Sequence, residues 1–219
     1  MSLSLEEILP LLTKGGAIKA AKTVYEYLSP VDRALLKQRI DELNIIRAEK
    51  TTLTGAAKRT WQGDKSRRIG AKFEELIEVL FINSEVIKVQ MNQRGTVGEY
   101  DVVISLQPLK NTVPFLENHQ QALGEAKCHE NTVSSDWVQE LLGNLTQSQV
   151  TLGFIFVFTK PKRLPVPTQT ALYGVRAGGR VILPFGAKQF GLISDGSSLL
   201  EVFEDMHSMT TIVNSKIMI

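Results

Sequence analysis

The segment Ala122 to Cys128 reads ALGEAKC, and in an extended strand the period of two puts Glu125 and Lys127 on one face while Ala126 and Cys128 point to the other. A carboxylate and an ammonium held side by side can take a hard cation through oxygen and orient or activate a water. In the preceding segment GEYDVVI, Asp101 runs directly into Val102, Val103 and Ile104, which would bury its backbone in a sheet. A carboxylate near a core is costly unless something pairs it, so Asp101 has a physical reason there only if a metal or Lys127 converges on it. The chemistry that suits such a trio is hydrolysis of a phosphodiester, which requires phosphate charge to be neutralised, a water placed in line and the leaving oxygen stabilised. By the same period, Glu99 shares a face with Asp101.

These residues need elements to hold them. The sequence predicts a helix over 70–82 whose buried stripe is Phe73, Leu76, Ile77 and Leu80. At 100° per residue Glu74 falls at the edge of that stripe beside Ile77 and Phe81, whereas Glu75 points nearly opposite, so Glu74 is the glutamate best placed to look toward the sheet. Strands are expected at 86–93, 99–106, 122–128, 152–159 and 180–185, and helices at 135–149, about 167–177 and about 197–206. The run LGFIFVFT is almost unbroken in apolar residues, as expected of a strand covered on both faces. Together these make an α/β domain over 69–219, a mixed central sheet flanked by helices. Residues 1–47 read as a small N-terminal helical segment, in three short helices of which the last begins near Pro30. Between the two, residues 48–68 carry Lys50, Lys58, Arg59, Lys65, Arg67 and Arg68 around Trp61. That stretch is expected to be a basic linker, either a solvated tether or an arm that grips phosphate and stacks an indole on a base.

The bulk numbers narrow the field less. The chain has 219 residues, 43% of them apolar, and a formal charge of +2, which neither demands nor excludes a nucleic-acid partner. With one cysteine, Cys128, an intramolecular disulfide and a multi-cysteine metal site are both excluded, which fits a reducing cytoplasm. No run approaches the roughly 18 apolar residues that a membrane span needs, and the start lacks the features of a secretory signal. The expectation is a cytoplasmic protein without a membrane partner. His119 and His207 have no sequence partners that would make a zinc site or a hydrolytic triad, and His129, which follows the E-x-K triplet and could touch phosphate, is expected to be solvated at the strand end. Gly178-Gly179 resembles a helix C-cap, and Cys128 is expected to fill space in the core.

The segments GAKFEELIEVL, GEYDVVI, ALGEAKCHE and DWVQELLGNLTQSQVTLGFIFVFT resemble, in order, the helix, metal strand, E-x-K strand and following helix-strand unit of the PD-(D/E)xK, or restriction-endonuclease-like, superfamily. They look closest to its Mrr-like and Holliday-resolvase-like branches, over roughly residues 68–206. The resemblance implies Asp101 and Glu125 as Mg²⁺ ligands, with Mn²⁺ as a substitute, and the backbone carbonyl of Ala126 completing the shell. It implies Lys127 as the water-activating residue and Glu74 as a helix carboxylate aiding metal or water. Gln139 matches a polar position of the next helix. Tyr100 stands where the motif's name has proline, a position that varies. The implied activity is a metal-dependent endonuclease acting on DNA, with RNA not excluded, in restriction, defence or repair. A homodimer is expected because cutting two strands calls for two sites. Two rival readings exist: a nucleic-acid binder on a nuclease fold that does not cut, and a helical adaptor carrying a degenerate domain. The plainest alternative makes Glu125 and Lys127 a surface pair and Asp101 a turn cap. Against it, Glu125-Ala126-Lys127 is the only Asp/Glu-x-Lys triplet in the chain.

Overall fold

The structure, a computed structural model, describes residues 28–84, 87–94, 99–106, 119–128, 133–158, 163–211, 217 and 219, and these residues form six helices and five strands. In chain order they are α1 (Pro30–Ala48), α2 (Gly55–Phe81), β1 (Ile87–Arg94), β2 (Glu99–Leu106), β3 (Gln121–Lys127), α3 (Ser135–Gln147), β4 (Leu152–Val157), α4 (Val166–Ala177), β5 (Val181–Phe185), α5 (Ala187–Ser194) and α6 (Leu199–Thr211). The strands form one sheet in the order β1-β2-β3-β4-β5. The β1–β2 and β2–β3 pairs are antiparallel and the β3–β4 and β4–β5 pairs parallel, so the expected mixed sheet is found. The expected helices before residue 28 lie outside the described residues, as do His129 and two further basic residues expected to contact phosphate, Lys160 and Lys162.

Each sheet face is covered by its own helices. One core joins Leu36 and Leu43 of α1 and Phe73, Leu76 and Ile77 of α2 to Phe154, Phe156, Phe190 and Phe203. The other joins Leu123, Ile155 and Ile182 to Val138, Leu141 and Leu145 of α3 and Leu172 and Val175 of α4. All six residues of β4 are buried, which is why its sequence shows no alternation. Aromatic rings fill the first core, with centroids 4.9 Å apart both for Phe154 and Phe203 and for Phe185 and Phe190.

Two expectations about the N-terminal third need correction. Residues 55–68 are not extended tether: they form the first half of α2, a single 27-residue helix. Ala56, Ala57 and the Lys and Arg residues are strong helix formers, but this half is polar all round and so carries no apolar stripe. Lys65 anchors it to the end of α1, its Nζ donating to the carbonyls of Arg47 at 2.8 Å and Glu49 at 2.6 Å. The second correction concerns α1, expected to belong to a separate unit. Leu36 and Leu43 are fully buried in the same core as the sheet. Two such side chains are worth roughly 1.5–3 kcal/mol each, against a total stability of about 5–15 kcal/mol for a typical domain. A chain begun at Thr60 is therefore expected to lose cooperative unfolding in calorimetry. An undiminished, cooperative transition in that truncation would show α1 to be dispensable to the core.

A helix that the sequence did not announce, α5, follows β5 directly. It is short and contains Gly191, which hides its pattern; its start is held by the Gly186 N–H, which donates to the Gln189 side-chain oxygen at 3.0 Å.

Candidate active site

The β2–β3 ladder ends at the pair Val102↔Gly124, and one step further Asp101 and Glu125 would face each other where the strands part. A backbone N–H freed by such a parting needs an acceptor. The Asp101 side chain provides it: Oδ2 accepts from the Ala126 amide at 2.8 Å. Gly124 makes the close approach before the parting possible. A Cβ on Gly124 would lie 2.9 Å from the Val102 Cβ and 3.0 Å from the Phe156 ring, so any larger residue would push β2 and β3 apart just beside Glu125.

Glu125 is 7% exposed, and the Lys127 Nζ lies 3.1 Å from its Oε2. Helix α3 closes over this face. Gly153 of β4 lets it sit low, since a Cβ there would come within 3.0 Å of both Leu141 and Leu145. That docking brings the Asn144 Nδ2 to 3.3 Å from Glu125 Oε1 and Glu140 to 3.9 Å from the Lys127 ammonium. Burial pushes the Glu125 carboxyl above its ordinary value; the charges of Asp101 and Glu140 push the same way, while Lys127 opposes them. For Lys127, burial favours the neutral amine but is outweighed by Glu125, Glu140 and Asp101, so the ammonium is held above its ordinary value. The site thus keeps a cation and a crowded pair of carboxylates together in a half-dry notch.

Asp101, Glu125 and Lys127 are therefore brought together, with the Ala126 backbone between the last two. Glu74 has a partner of its own: its Oε2 accepts from Asn92 Nδ2 at 3.0 Å. Asn92 is the residue between the pairs Met91↔Val102 and Gln93↔Tyr100, hence across the ladder from Asp101, and its φ of +52° breaks the pleat there. The same irregularity explains why Tyr100 and Val103, three residues apart, both reach the α3-side core. It also takes Glu99 away from Asp101: Glu99 is exposed and lies 3.9 Å from Arg94. Gln139 is exposed on α3. The residues that sequence reasoning passed over are Asn144 and Glu140, which stand four apart on α3 and so share one helix face; only that spacing hinted at them.

The other residues singled out from the sequence lie elsewhere. His119 is buried against Thr151, with Nδ1 2.8 Å from Oγ1, and burial together with Arg176 lowers its pKa. His207 is half-buried, and burial, Arg176 and His119 lower its pKa to about 4. Cys128 packs against the α2-side core, where burial raises its thiol to about 11. Gly178 and Gly179 do close a helix, α4, with Gly179 at φ +77°.

Two carboxylates converging on one notch, next to a backbone carbonyl, are the oxygen donors a hard divalent cation takes when water and substrate phosphate fill its remaining positions. Among the described residues no group of three or more His, Cys, Asp or Glu side chains is placed to hold a metal ion. The donor set fits an open site rather than a structural one. Among the described residues no helix is long and apolar enough to cross a membrane.

Residues 67–161 match the Mrr-type restriction endonuclease family model, a stretch that holds Glu74, Asp101, Glu125, Ala126 and Lys127. No curated protein and no solved structure matches the chain. The match over residues 67–161 supports an Mrr-like, restriction-endonuclease-like domain. That likeness supports a nuclease of the restriction-endonuclease-like type, a hydrolase of phosphodiester bonds that acts on nucleic acid.

Proposed function

We propose that this protein is a divalent-metal-dependent endonuclease that cuts DNA, with Asp101, Glu125 and Lys127 as its catalytic core. The observation that carries the reading is the single notch in which Asp101 Oδ2 meets the Ala126 amide at 2.8 Å and Lys127 Nζ meets Glu125 Oε2 at 3.1 Å. Asp101, Glu125 and the Ala126 carbonyl would hold Mg²⁺, or Mn²⁺ in its place, with Glu74 helping from the neighbouring helix. Bound there, the ion would supply charge neutralisation at the scissile phosphate and lower the pKa of a bound water. The chain's own residues do the rest. Lys127, kept cationic by its carboxylate neighbours, orients the attacking water through Nζ and offsets the negative charge that builds on the phosphoryl oxygens. Asn144 steadies the Glu125 carboxylate. Helix α3 covers one side of the notch through Asn144 and Glu140.

Phosphate grip away from the notch falls to exposed cations. Of the basic stretch, Lys65 and Arg68 are spent on the end of α1, Arg68 pairing with Glu49, and Arg67 pairs with Asp64. Lys58 and Arg59 are exposed and make no ion pair among the described residues, which leaves them for DNA phosphates, with Arg163 as a further candidate. Their contribution should fall with salt. A homodimer that places two notches on two strands, a cytoplasmic setting and a role in restriction, defence or repair complete the proposal.

The test is incubation of the full chain with supercoiled plasmid, linear duplex and RNA, with Mg²⁺ or Mn²⁺ and with EDTA. Nicked and then linear DNA is expected with metal and none with EDTA. Binding without cutting of any substrate offered would make the protein a non-catalytic binder on a nuclease fold.

A further inference from the structure

On the α3 side of the sheet, a cleft of about 360 Å³ opens between the exposed strands β1–β3 and the end of α3. Its floor is apolar, formed by Val103, Leu123 and the Tyr100 ring, and its wall is fixed by the Tyr100 hydroxyl, 2.6 Å from Ser148 Oγ. Around the rim stand Gln90, Gln121, Gln147 and Gln149, all exposed, none making a side-chain hydrogen bond among the described residues. No carboxylate lines it; the one charged residue is Arg94.

The cleft is continuous with the notch. Leu123 precedes Glu125 by two residues on the same face of β3, about 7 Å along a strand, and Val103 stands opposite Leu123 in the ladder. Tyr100 adjoins Asp101. On α3, Gln147 follows by one turn the Asn144 that touches Glu125. A strand of nucleic acid with a phosphate over Glu125 would therefore have a neighbouring base above this floor. The lining suits a base in both respects. A flat apolar floor with an aromatic ring accepts a π-face, and each free amide offers one acceptor and two donors to the polar edge. Glutamine is the side chain whose amide matches the adjacent acceptor and donor of adenine, N7 and N6. With four amides against one guanidinium, which lies 3.9 Å from the Glu99 carboxylate, such a rim would hold a base edge better than a phosphate.

We propose that this cleft is a base-reading subsite: it receives a nucleobase of the strand being cut, next to the scissile phosphate, and its glutamine rim favours one base there. The inference rests on the nuclease reading for its register, and two measurements separate the fate of the two. In the first, the full chain with Mg²⁺ digests a randomised duplex and the cut ends are sequenced, for the wild type, Gln121→Leu and Gln147→Leu. A bias of about fivefold or more for one base at a fixed distance from the cut is expected, falling to within about twofold in at least one variant, while total cleavage of the pool stays within about twofold. In the second, with Ca²⁺ and no cutting, oligonucleotides carrying 4-thiothymidine at each position in turn are photo-crosslinked and the adduct is mapped. An adduct on Tyr100 or on residues 147–150 is expected. Cleavage without bias, or with a bias both variants keep, or with adducts only elsewhere, overturns the subsite and leaves the nuclease intact. Adducts in the cleft of a protein that never cuts keep the base site and overturn the nuclease, whereas neither cutting nor adducts overturns both.

Discussion

Exchange of Lys127 for methionine is expected to lower Mg²⁺-dependent cleavage by at least about 10²–10³-fold, the usual loss when one preorganised charge is removed from a transition state. Nucleic-acid binding measured in Ca²⁺ should stay within about twofold. The asymmetry follows from where the ammonium sits. It lies 3.1 Å from Glu125, with Glu140 at 3.9 Å, on a side chain only 21% exposed, so its charge is aimed into the notch rather than at solvent. Its neighbours hold it above the ordinary lysine value, so through the neutral range it acts as a cation and hydrogen-bond donor, not as a base. Such a group is worth most where charge develops during reaction, and little to ground-state affinity, which rests on phosphate contacts elsewhere. Methionine keeps the length of the stem and removes the charge. Some thermal stability should go with it, because Glu125 is left with one partner fewer. Arginine should not restore the rate, since a planar guanidinium cannot occupy the space of a compact ammonium. Cleavage by the methionine variant within about threefold of wild type would remove Lys127 from the mechanism.

How much of this was legible beforehand depends on what each signal encodes. Strands β2, β3 and β4 could be read because alternation and unbroken apolar runs report directly on which faces are covered. The chemistry of Glu125 and Lys127 followed from the same period of two. Asp101 could be placed because an acid running into Val102, Val103 and Ile104 needs a partner. Helix α2 was half lost because its first turns are polar all round, and periodicity detects burial rather than helix. The helix beginning near Pro30 is expected from its periodicity, but a stripe does not say which body it covers, and only the three-dimensional core shows that Leu36 and Leu43 cover the sheet. The face of Glu99 went wrong for a local reason. A positive φ at Asn92 interrupts the pleat on the paired strand, and strict alternation fails past that point. Asn144 and Glu140 depend on how α3 docks through Gly153, a tertiary fact with no short-range signature. Each miss is a case in which packing, rather than local pattern, decided the outcome.

Exchange of Glu125 for glutamine should have two effects of opposite sign: cleavage falls by about 10²-fold or more, while the metal-free protein melts at a higher temperature. Loss of rate follows from replacing one of the two carboxylates at the notch by a neutral amide, a weaker ligand for a hard cation. The gain in stability follows from what that carboxylate costs. It is 7% exposed, and its burial together with Asp101 and Glu140 raises its pKa despite Lys127, so on balance its surroundings disfavour the charged form. Glutamine is close in shape to the protonated carboxyl, and its amide can still pair with Asn144 across 3.3 Å. Relief of a strained functional site commonly brings about 0.5–2 kcal/mol, or roughly 1–8 °C in a chain of this size. The sign with pH is fixed by the direction of the shift. A carboxyl whose folded pKa lies above its unfolded one is easier to ionise in the unfolded chain, so the penalty on the wild type grows as pH rises through the ordinary carboxylate range up to the folded value. Below that range both proteins are uncharged at this position, and the difference in melting temperature should vanish. Divalent metal should reverse the order at neutral pH, because it stabilises only the form that binds it, by about 2.7 kcal/mol at a hundred times its Kd. The measurement is a set of melting curves for both proteins at pH 4 and pH 8, with EDTA and with Mn²⁺. A variant that melts below wild type at pH 8 in EDTA would show that Lys127 over-compensates the buried charge, and a variant that still cuts would take Glu125 out of the site.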